Sequence, residues 1–560
     1  MMSQPLRGKA AWSSFRRRIY GTVFATPLYG VTLLHRNPAQ LANVPPDTWP
    51  GDANRGAAIL GGAFTLAGIH IRPELSPWDE TDADPSWREA LHEFLWLRDL
   101  RALGGDDARR CARNLTEEWL ERHDSCSGPA WRADVIGRRL TAWAAHYKLF
   151  FASAPDEMRL QLLASMARQA RHLGRVAARE TDGMRRLAAI KGLLYAGMGL
   201  PGEMPLFVRA VGLLEDELTW QITGDGSHVE RSPAGQLVLL RDLVDMRAAL
   251  SAARQEPLAL LGDAIVRAAA MLCFFRHGDG GLANFNGGGE ADPTIIDLVL
   301  AQADARERPA RSAPHSGFER LSAGKLLVIA DAGLPAPPGL DRGAHAGALS
   351  FEASYGKERL IVNCGASLAS GPDWRHAARA TAAHSTLTIE DMNSSEIRPN
   401  GSLGRRPEHV TAEREQTDGN VWLSMSHDGY AAPFGLIHRR RIYMAASGDE
   451  LRGEDSLIPA ERRIAEGTAG EPDNRAFAIR FHIHPAARAS LAQDGTAVFL
   501  RLPSGVGWRL RVGGAKVDLT ESMYFGGNEA RRTQQIVLSG RTGPATTTIK
   551  WALRREGAQK

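Results

Sequence analysis

Nine residues, Asp225–Pro233 (DGSHVERSP), bring an imidazole, a carboxylate and a guanidinium together: His228, Glu230 and Arg231. Ser232 followed by Pro233 is the N-cap and first-turn pairing that opens a helix. The three groups therefore stand at a helix N-terminus, where unpaired amides and the helix dipole favour an anion. Such a set could hold a carboxylate with Arg231 and move a proton with His228. The same residues also suit a capped turn in which Asp225 and Glu230 satisfy local amides. A second segment, Arg276–Glu290 (RHGDGGLANFNGGGE), has six glycines in fifteen residues and cannot be a regular helix or strand. It lacks the GxxxxGK[ST] pattern of a phosphate loop. Asn284, Asn286 and Glu290 give it polar groups suited to sugar hydroxyls, and a plain linker is the alternative.

Two further histidines sit in small-residue loops ahead of strands, His345 in Asp341–Glu352 (DRGAHAGALSFE) and His384 in Ala383–Leu387 (AHSTL). They could form an acid–base pair or share a metal, although no HExxH spacing is present and any metal set would be assembled over long range. Tyr430 closes the run His427–Tyr430 (HDGY) and is a second candidate base, or the corner of an edge turn. His482 and His484 alternate with apolar residues in Phe481–Pro485 (FHIHP) and read as a structural pair on one side of a strand.

Positioning these groups requires two kinds of element. Ser86–Leu103 carries Leu91, Phe94, Leu95, Leu97 and Leu100 at helical spacing and stops at Gly104-Gly105. Helical segments follow at about 107–122, 130–152, 156–180, 183–199, 204–221, 233–254 and 257–276, joined by short links, which predicts antiparallel hairpins in a bundle, solenoid or toroid. Ahead of them, residues 43–52 read as extended and Ala57–Ile71 as strand-like. Beyond residue 315 the period becomes two: 325–331, 360–363, 386–390, 421–426, 497–502 and 508–512 read as strands, and many strands without intervening helices predict an antiparallel sandwich. The expected fold is α+β: a lead-in at 1–85, a helical domain at 86–310 and a β-sandwich at 316–556, with the polar groups where the helical and β-rich halves meet. Six tryptophans, Trp87, Trp96, Trp119, Trp131, Trp143 and Trp220, crowd the helical half and are expected to be mostly core.

Composition narrows the class. The 560 residues exceed one core, and 43% apolar with 24% charged content is that of an ordinary soluble globular protein. Sixty-eight basic against 64 acidic residues give +4, too even for a nucleic-acid protein, where a basic stripe is expected. The four cysteines, Cys111, Cys126, Cys273 and Cys364, include no CxxC pair and read as buried free thiols. Arg16–Arg18 precede the apolar stretch Ile19–Leu34, which is shorter and more polar than a membrane span and shows no clear small-residue cleavage site. No integral membrane segment is expected.

Taken jointly, WPGD (Trp49–Asp52), LHEFLWLRDLRALG (Leu91–Gly104), WRADVIGRRLTAW (Trp131–Trp143), DGSHVERSP, FNGGGE (Phe285–Glu290), HAGALSFE (His345–Glu352), AHSTL and HDGY resemble the heparinase II/III-like polysaccharide lyases, in particular the alphaproteobacterial branch. The resemblance spans the chain from about residue 40. It implies an N-terminal (α/α) toroid, a C-terminal antiparallel β-sandwich, a place in the bacterial envelope or periplasm, and β-elimination on an acidic polysaccharide or oligosaccharide. Without a clear signal peptide, the cytoplasm is the alternative. In that reaction the uronate carboxylate is neutralised, a base removes the C5 proton and an acid protonates the leaving 4-oxygen. The resemblance gives His345 a place in the site and His384 a place beside a structural zinc; no other cofactor is expected. His228, His345, Tyr430 and Arg231 are the catalytic candidates, and Arg186, Glu230, Asn286, Trp131 and Arg138 the substrate-binding ones. Three positions depart from the family pattern. Ala234-Gly235-Gln236 replaces a Tyr after the SP, Arg185-Arg186 an Asn-His pair, and Asn363 an acidic residue. Two alternatives follow: a glycan-binding envelope-assembly protein without turnover, or a glycoside hydrolase, for which Asp225 with Glu230 or Glu290 is the available carboxylate pair.

Overall fold

The computed structural model describes residues 24, 26–34, 38–42, 47–123, 126, 128–180, 183–305, 309–366, 371–460, 473–492, 495–527 and 529–557. Parts of the expected extended segment at 43–52 and of the apolar stretch 19–34 lie outside them. The described chain is helical first: α1 Ala53–Leu60, α2 Pro85–His92, α3 Leu97–Leu103, α4 Gly105–Arg122, α5 Ala133–His146, α6 Asp156–Val176, α7 Gly183–Gly199, α8 Met204–Gln221, α9 Pro233–Ala252, α10 Ala259–Phe274 and α11 Pro293–Gln302. By contacts it divides into two compact units, residues 1–218 with 245–258, and residues 219–244 with 259–560. Among the described residues no helix is long and apolar enough to cross a membrane.

In the first unit the WPGD motif is a docking device. The Asp52 side chain accepts from the amides of Asn54 and Arg55 and so starts α1, while a side chain at Gly51 would meet the Arg98 carbonyl of α3 at 2.1 Å. The expected strand over 57–71 is instead this capped helix followed by a short hairpin, β1 Phe64–Leu66 and β2 Ile69–Ile71. Helices α5 and α7 cross at glycines: a Cβ at Gly137 would lie 2.2 Å from the Ala188 carbonyl, and one at Gly192 2.2 Å from the Gly137 Cα. Trp87, Trp119 and Trp143 are fully buried, and the buried Arg139 guanidinium lies 4.2 Å over the Trp119 ring. That cation is satisfied by the carbonyls of His92 and Ala130 and by Gln169 Oε1.

The second unit holds an antiparallel sandwich. One sheet runs β17 (Lys516–Tyr524), β18 (Arg531–Arg541), β13 (Ala476–Ile483), β7 (Glu358–Val362), β6 (Phe351–Tyr355), β5 (Leu326–Asp331), β4 (Phe318–Ala323) and β3 (Ser312–Ala313), with β8 (Leu387–Ile389) paired to β13. The other runs β14 (Arg488–Leu491), β15 (Ala497–Arg501), β16 (Gly507–Gly513), β19 (Thr547–Arg555), β12 (Glu450–Pro459), β11 (Leu436–Met444), β10 (Asn420–His427) and β9 (Val410–Thr417). Alternation places Val421, Leu423 and Met425 of β10 inside and Trp422 outside. Both sheets feed one core, in which the Phe351 ring of β6 stacks on Trp551 of β19.

Candidate active site

The loops of the second unit that carry the chemistry share one local design. After α8, Ile222 bridges His228 across Thr223–Ser227; after α10, Arg276 bridges Leu282 across His277–Gly281. Each turn has an Asp-Gly pair with the glycine at positive φ, 90° at Gly226 and 88° at Gly280, which only glycine adopts freely. In each, the aspartate accepts from the amide two residues on. The same tripeptide, GDG, stands at 224–226 and 278–280 in the sequence.

The first turn is locked. His228 is 1% exposed; its Nε2 donates to Gln221 Oε1 at 2.7 Å and its Nδ1 accepts from the Glu230 amide. Burial depresses its pKa to about 4, so it stays neutral. Both ring nitrogens are thus spent on holding the loop, which corrects the proton-transfer role expected for His228. Arg231, at φ 59°, is buried: its Nε donates to the Ser316 carbonyl at 2.6 Å, its Nη2 pairs with Asp331 at 2.5 Å, and its guanidinium lies 4.5 Å over the Phe318 ring. It is neutralised by a carboxylate of the protein itself, which corrects the reading of Arg231 as a free carboxylate binder. Asp225 is likewise occupied, accepting from the Ser316 amide and hydroxyl and from Thr223, so it does not serve a hydrolase pair. Glu230 is half-buried.

A chain of polar contacts leads from this loop to His345. Asn286, also left-handed at φ 46°, donates to the Arg231 carbonyl at 3.0 Å and accepts the His345 amide at 3.1 Å. His345 Nδ1 and His384 Nε2 are 3.0 Å apart, and His384 Nδ1 lies 2.8 Å from the Ala380 carbonyl. A carbonyl only accepts, so His384 carries its proton on Nδ1 and offers the Nε2 lone pair. His345 must then donate from Nδ1, which leaves the lone pair on its own Nε2. Burial is the main cause that lowers both pKa values, His384 to about 4 and His345 well below the ordinary histidine value, the latter also repelled by His384 and Arg379. His345 is therefore a neutral imidazole of fixed tautomer. Its Nε2 faces the glycine-rich loop, 3.9 Å from where a Cβ on Gly287 would stand. The next residue, Gly288, sits against the opening of α9, a Cβ there lying 3.7 Å from the Ala234 amide. Ser232 caps that helix through the Gly235 amide, as its position before Pro233 predicts.

These residues do not fit a zinc ion. The facing nitrogens of His345 and His384 are already joined by a hydrogen bond, and Asn363 supplies a neutral amide whose Oδ1 accepts the Ser385 amide. Among the described residues the one trio of metal-type ligands is Glu408, His409 and Asp428 at the surface, where Asp428 is bound by His409 and by the amides of 408 and 409.

Tyr430 stands elsewhere. It is fully buried in the sandwich core, its hydroxyl donating to the Leu387 carbonyl at 2.8 Å, and burial pushes its pKa far up. This burial corrects the reading of Tyr430 as a base, while the turn reading holds for the backbone, since Gly429 and Tyr430 form the turn after β10. Its neighbours His427 and His438 lead inward to Asp455, which also pairs with Arg440 and Trp551. His482 and His484 separate: His482 bonds Ser522 and the Ala382 carbonyl within the sheet, while His484 lies past the strand end and reaches Glu290 at 3.2 Å. Glu290 also accepts from Tyr524, whose hydroxyl takes a bond from Asn284. His484, Arg359 and Tyr524 together outweigh desolvation and hold the Glu290 carboxyl at about 2. Tyr524 was missed because it lies in a polar strand with no motif around it.

The remaining candidates belong to the first unit. Trp131 is buried, its indole donating to the His123 carbonyl and packed edge-on to His172, so no ring face is open for a sugar; its substrate-binding role is corrected. Arg138 pairs with the buried Glu93 at 2.5 Å and Arg186 with the buried Glu217 at 2.8 Å. Arg185 lies 3.6 Å from Asp134. Trp220, of the second unit, is 57% exposed, the exception among the six tryptophans.

Helices succeeded by a two-sheet antiparallel sandwich, with histidines and a glycine-rich loop at its edge, define the scaffold of a polysaccharide lyase. The sequence pattern of the heparinase II/III N-terminus matches residues 77–259, and that of the heparinase II/III-like C-terminal domain residues 305–552. Among solved structures, heparinase III superposes with a TM-score of 0.74 at 13% identity, covering 92% of this chain and 86% of that one. The heparan sulfate lyase HepC of Pedobacter heparinus superposes at 0.59 and 16% identity over 95% and 88%, and the chondroitin AC lyase of Streptomyces coelicolor A3 at 0.54 and 12% over 90% and 79%. These likenesses establish the fold. A Caulobacter vibrioides protein, FtsZ-localized protein C, is 35% identical over 98% of this chain and 97% of its own length. The chain belongs to the heparinase II/III-like family.

Proposed function

We propose that this protein acts on an acidic, uronate-containing glycan by β-elimination, with His345 as the proton acceptor. The observation that carries this reading is the relay Ala380 carbonyl–His384–His345, which fixes a lone pair on His345 Nε2 and turns it to the Gly287–Gly288 loop. A glycine-walled approach lets a sugar ring come close to the imidazole, and the α9 N-terminus beyond Gly288 supplies the Ala234 amide and the positive end of the helix dipole for its carboxylate. Nε2 takes the C5 proton, the C5–H electrons form the C4–C5 double bond, and the C4–O bond breaks. The imidazolium, held in a site that disfavours its charge, returns the proton to the departing 4-oxygen. One residue thus serves as base and acid, consistent with Ala234-Gly235-Gln236 standing where the family pattern has a tyrosine.

The test is to incubate the full chain with a panel of uronate polysaccharides and follow the ultraviolet absorbance of the unsaturated product. Turnover on at least one polymer, lost by a factor of about a hundred or more in His345→Gln, supports the reading. Absence of product on every uronate, or equal rates for His345→Gln, overturns it.

A second reading is favoured by the departures at Ala234 and Arg185-Arg186 and by the name of the Caulobacter relative. In it the protein binds envelope glycan without cleaving it and is localised by FtsZ. Calorimetric binding of a uronate oligosaccharide without any unsaturated product, together with co-localisation of a tagged chain with FtsZ, would favour this second reading.

A further inference from the structure

The outer face of the eight-stranded sheet carries a groove of about 410 Å³ that the reaction site does not use. Register builds it. One row crosses five strands, Trp422 opposite Tyr443, Tyr443 opposite Arg452, Arg452 opposite Ala552 and Ala552 opposite Arg511. A parallel row two residues along sets Arg441 beside Glu454, and Glu454 beside Lys550. Small residues, Ala552 in the first row and Gly513 in the second, leave the floor open between the long cations. Trp422, 44% exposed, lies 4.5 Å from the Tyr443 ring, and the Arg441 and Arg452 guanidinium groups flank these rings at 6.0 and 5.5 Å.

The charge on this face is cancelled only in part. Two of its cations are paired, Arg452 with Glu450 at 2.8 Å and Lys550 with Glu454, the one carboxylate lining the groove, at 4.0 Å, whereas among the described residues Arg441 and Arg511 form no ion pair. An exposed sheet face normally disperses its charges with both signs. Here two cations without a carboxylate partner, Arg441 and Arg511, share one concavity with an aromatic pair, an arrangement that serves an anion with flat faces. Strands spaced ~4.8 Å apart give the row a length of ~19 Å, with a side chain recurring at close to the repeat of a sugar in an extended glycan.

We propose that this groove is a second, non-catalytic binding site for an acidic oligosaccharide. Sugar rings lie on Trp422 and Tyr443, and their carboxylate or sulfate groups meet Arg441, Arg452, Arg511 and Lys550. The site holds a polymer on the sandwich independently of any chemistry at His345.

The experiment titrates the full chain with hexagalacturonate and with neutral cellohexaose by calorimetry, and maps Lys550 by acetylation and mass spectrometry with and without ligand. Hexagalacturonate binds, protects Lys550 and weakens with added salt, while cellohexaose binds about tenfold or more weakly. Trp422→Ala, and separately Arg441→Ala with Arg511→Ala, each lower the affinity about tenfold, equivalent to ~1.4 kcal/mol, with the circular dichroism spectrum retained. His345→Gln leaves both affinity and Lys550 protection unchanged, which separates this site from the proposed reaction. Unchanged affinity in Trp422→Ala, an unprotected Lys550, or tighter binding of oligothymidylate or anionic vesicles than of the hexasaccharide overturns the proposal.

Discussion

At the scale of single residues, hydrogen bonds decide which polar groups stay open to a ligand and which the fold consumes. His345, His384, Asn286 and Arg231 do form one hydrogen-bonded chain, although they are distributed over residues 231–384. What residue types could not disclose is which polar atoms the fold consumes. Arg231 meets a buried aspartate 100 positions away, and His228 is completed by Gln221, a pairing set by the bridge between Ile222 and His228. Tyr430 is the clearest case: HDGY has the composition of an exposed turn, yet the ring packs into the core and its hydroxyl serves the Leu387 carbonyl. Removing that hydroxyl leaves a buried carbonyl short of a partner. Tyr430→Phe should lower stability by about 1–3 kcal/mol in urea unfolding while leaving uronate turnover or binding unchanged. A loss of turnover in the intact, folded variant would return Tyr430 to the site.

At the scale of elements, the helical half was legible because amphipathic segments of ten or more residues carry their own period, and α4, α6, α7 and α8 lie within a few residues of their expected bounds. The β half was less so. Strands β4, β9, β11, β12, β14 and β17 to β19 gave no separate signal, because charged residues interrupt both faces, as in β11 (LIHRRRIYM), where the buried Arg440 occupies an inward position. Glycines in helices show the same limit. Gly137, Gly192 and Gly212 have equal propensity on paper, but the first two seat α5 against α7 while Gly212 of α8 has nothing within 4 Å of a Cβ. Ala favours a helix over Gly by ~1 kcal/mol, so Gly212→Ala should stabilise the protein by about 0.5–1 kcal/mol. At Gly137 the added methyl must push the helices apart, and Gly137→Ala should destabilise by about 1–3 kcal/mol. Urea midpoints of the two variants, shifted in opposite directions, would establish that α5 and α7 touch through their backbones.

At the scale of the whole molecule, the common feature of both units is neutral, buried histidine. In the first unit burial lowers His92 to about 3 and His146 and His172 to about 4; in the second it lowers His228 and His384 to about 4 and His482 to about 3. In the unfolded chain each titrates near 6.5. Below that value the unfolded state binds more protons than the folded one, so stability falls as pH falls, and above it the contribution is complete. Each such histidine costs ~1.4 kcal/mol for every unit of pH between its two values, so three in the first unit remove ~4 kcal/mol per unit. Glu290, held at about 2 against an ordinary 4.5, adds to the loss only in the lower window between those values. Against a stability of ~5–15 kcal/mol, the first unit should unfold at room temperature within ~1–4 pH units below 6.5. Scanning calorimetry should therefore show a melting temperature that is flat above about pH 7 and falls steeply towards pH 4. His146 offers the sharpest control, since its ring stacks on Phe150 and its Nε2 has no hydrogen bond. His146→Phe should keep the fold and make the acid limb shallower by one proton's worth, ~1.4 kcal/mol per unit. A limb of unchanged steepness would mean that His146 is already protonated in the folded protein, paired with Asp47, whose Oδ2 lies 3.9 Å away.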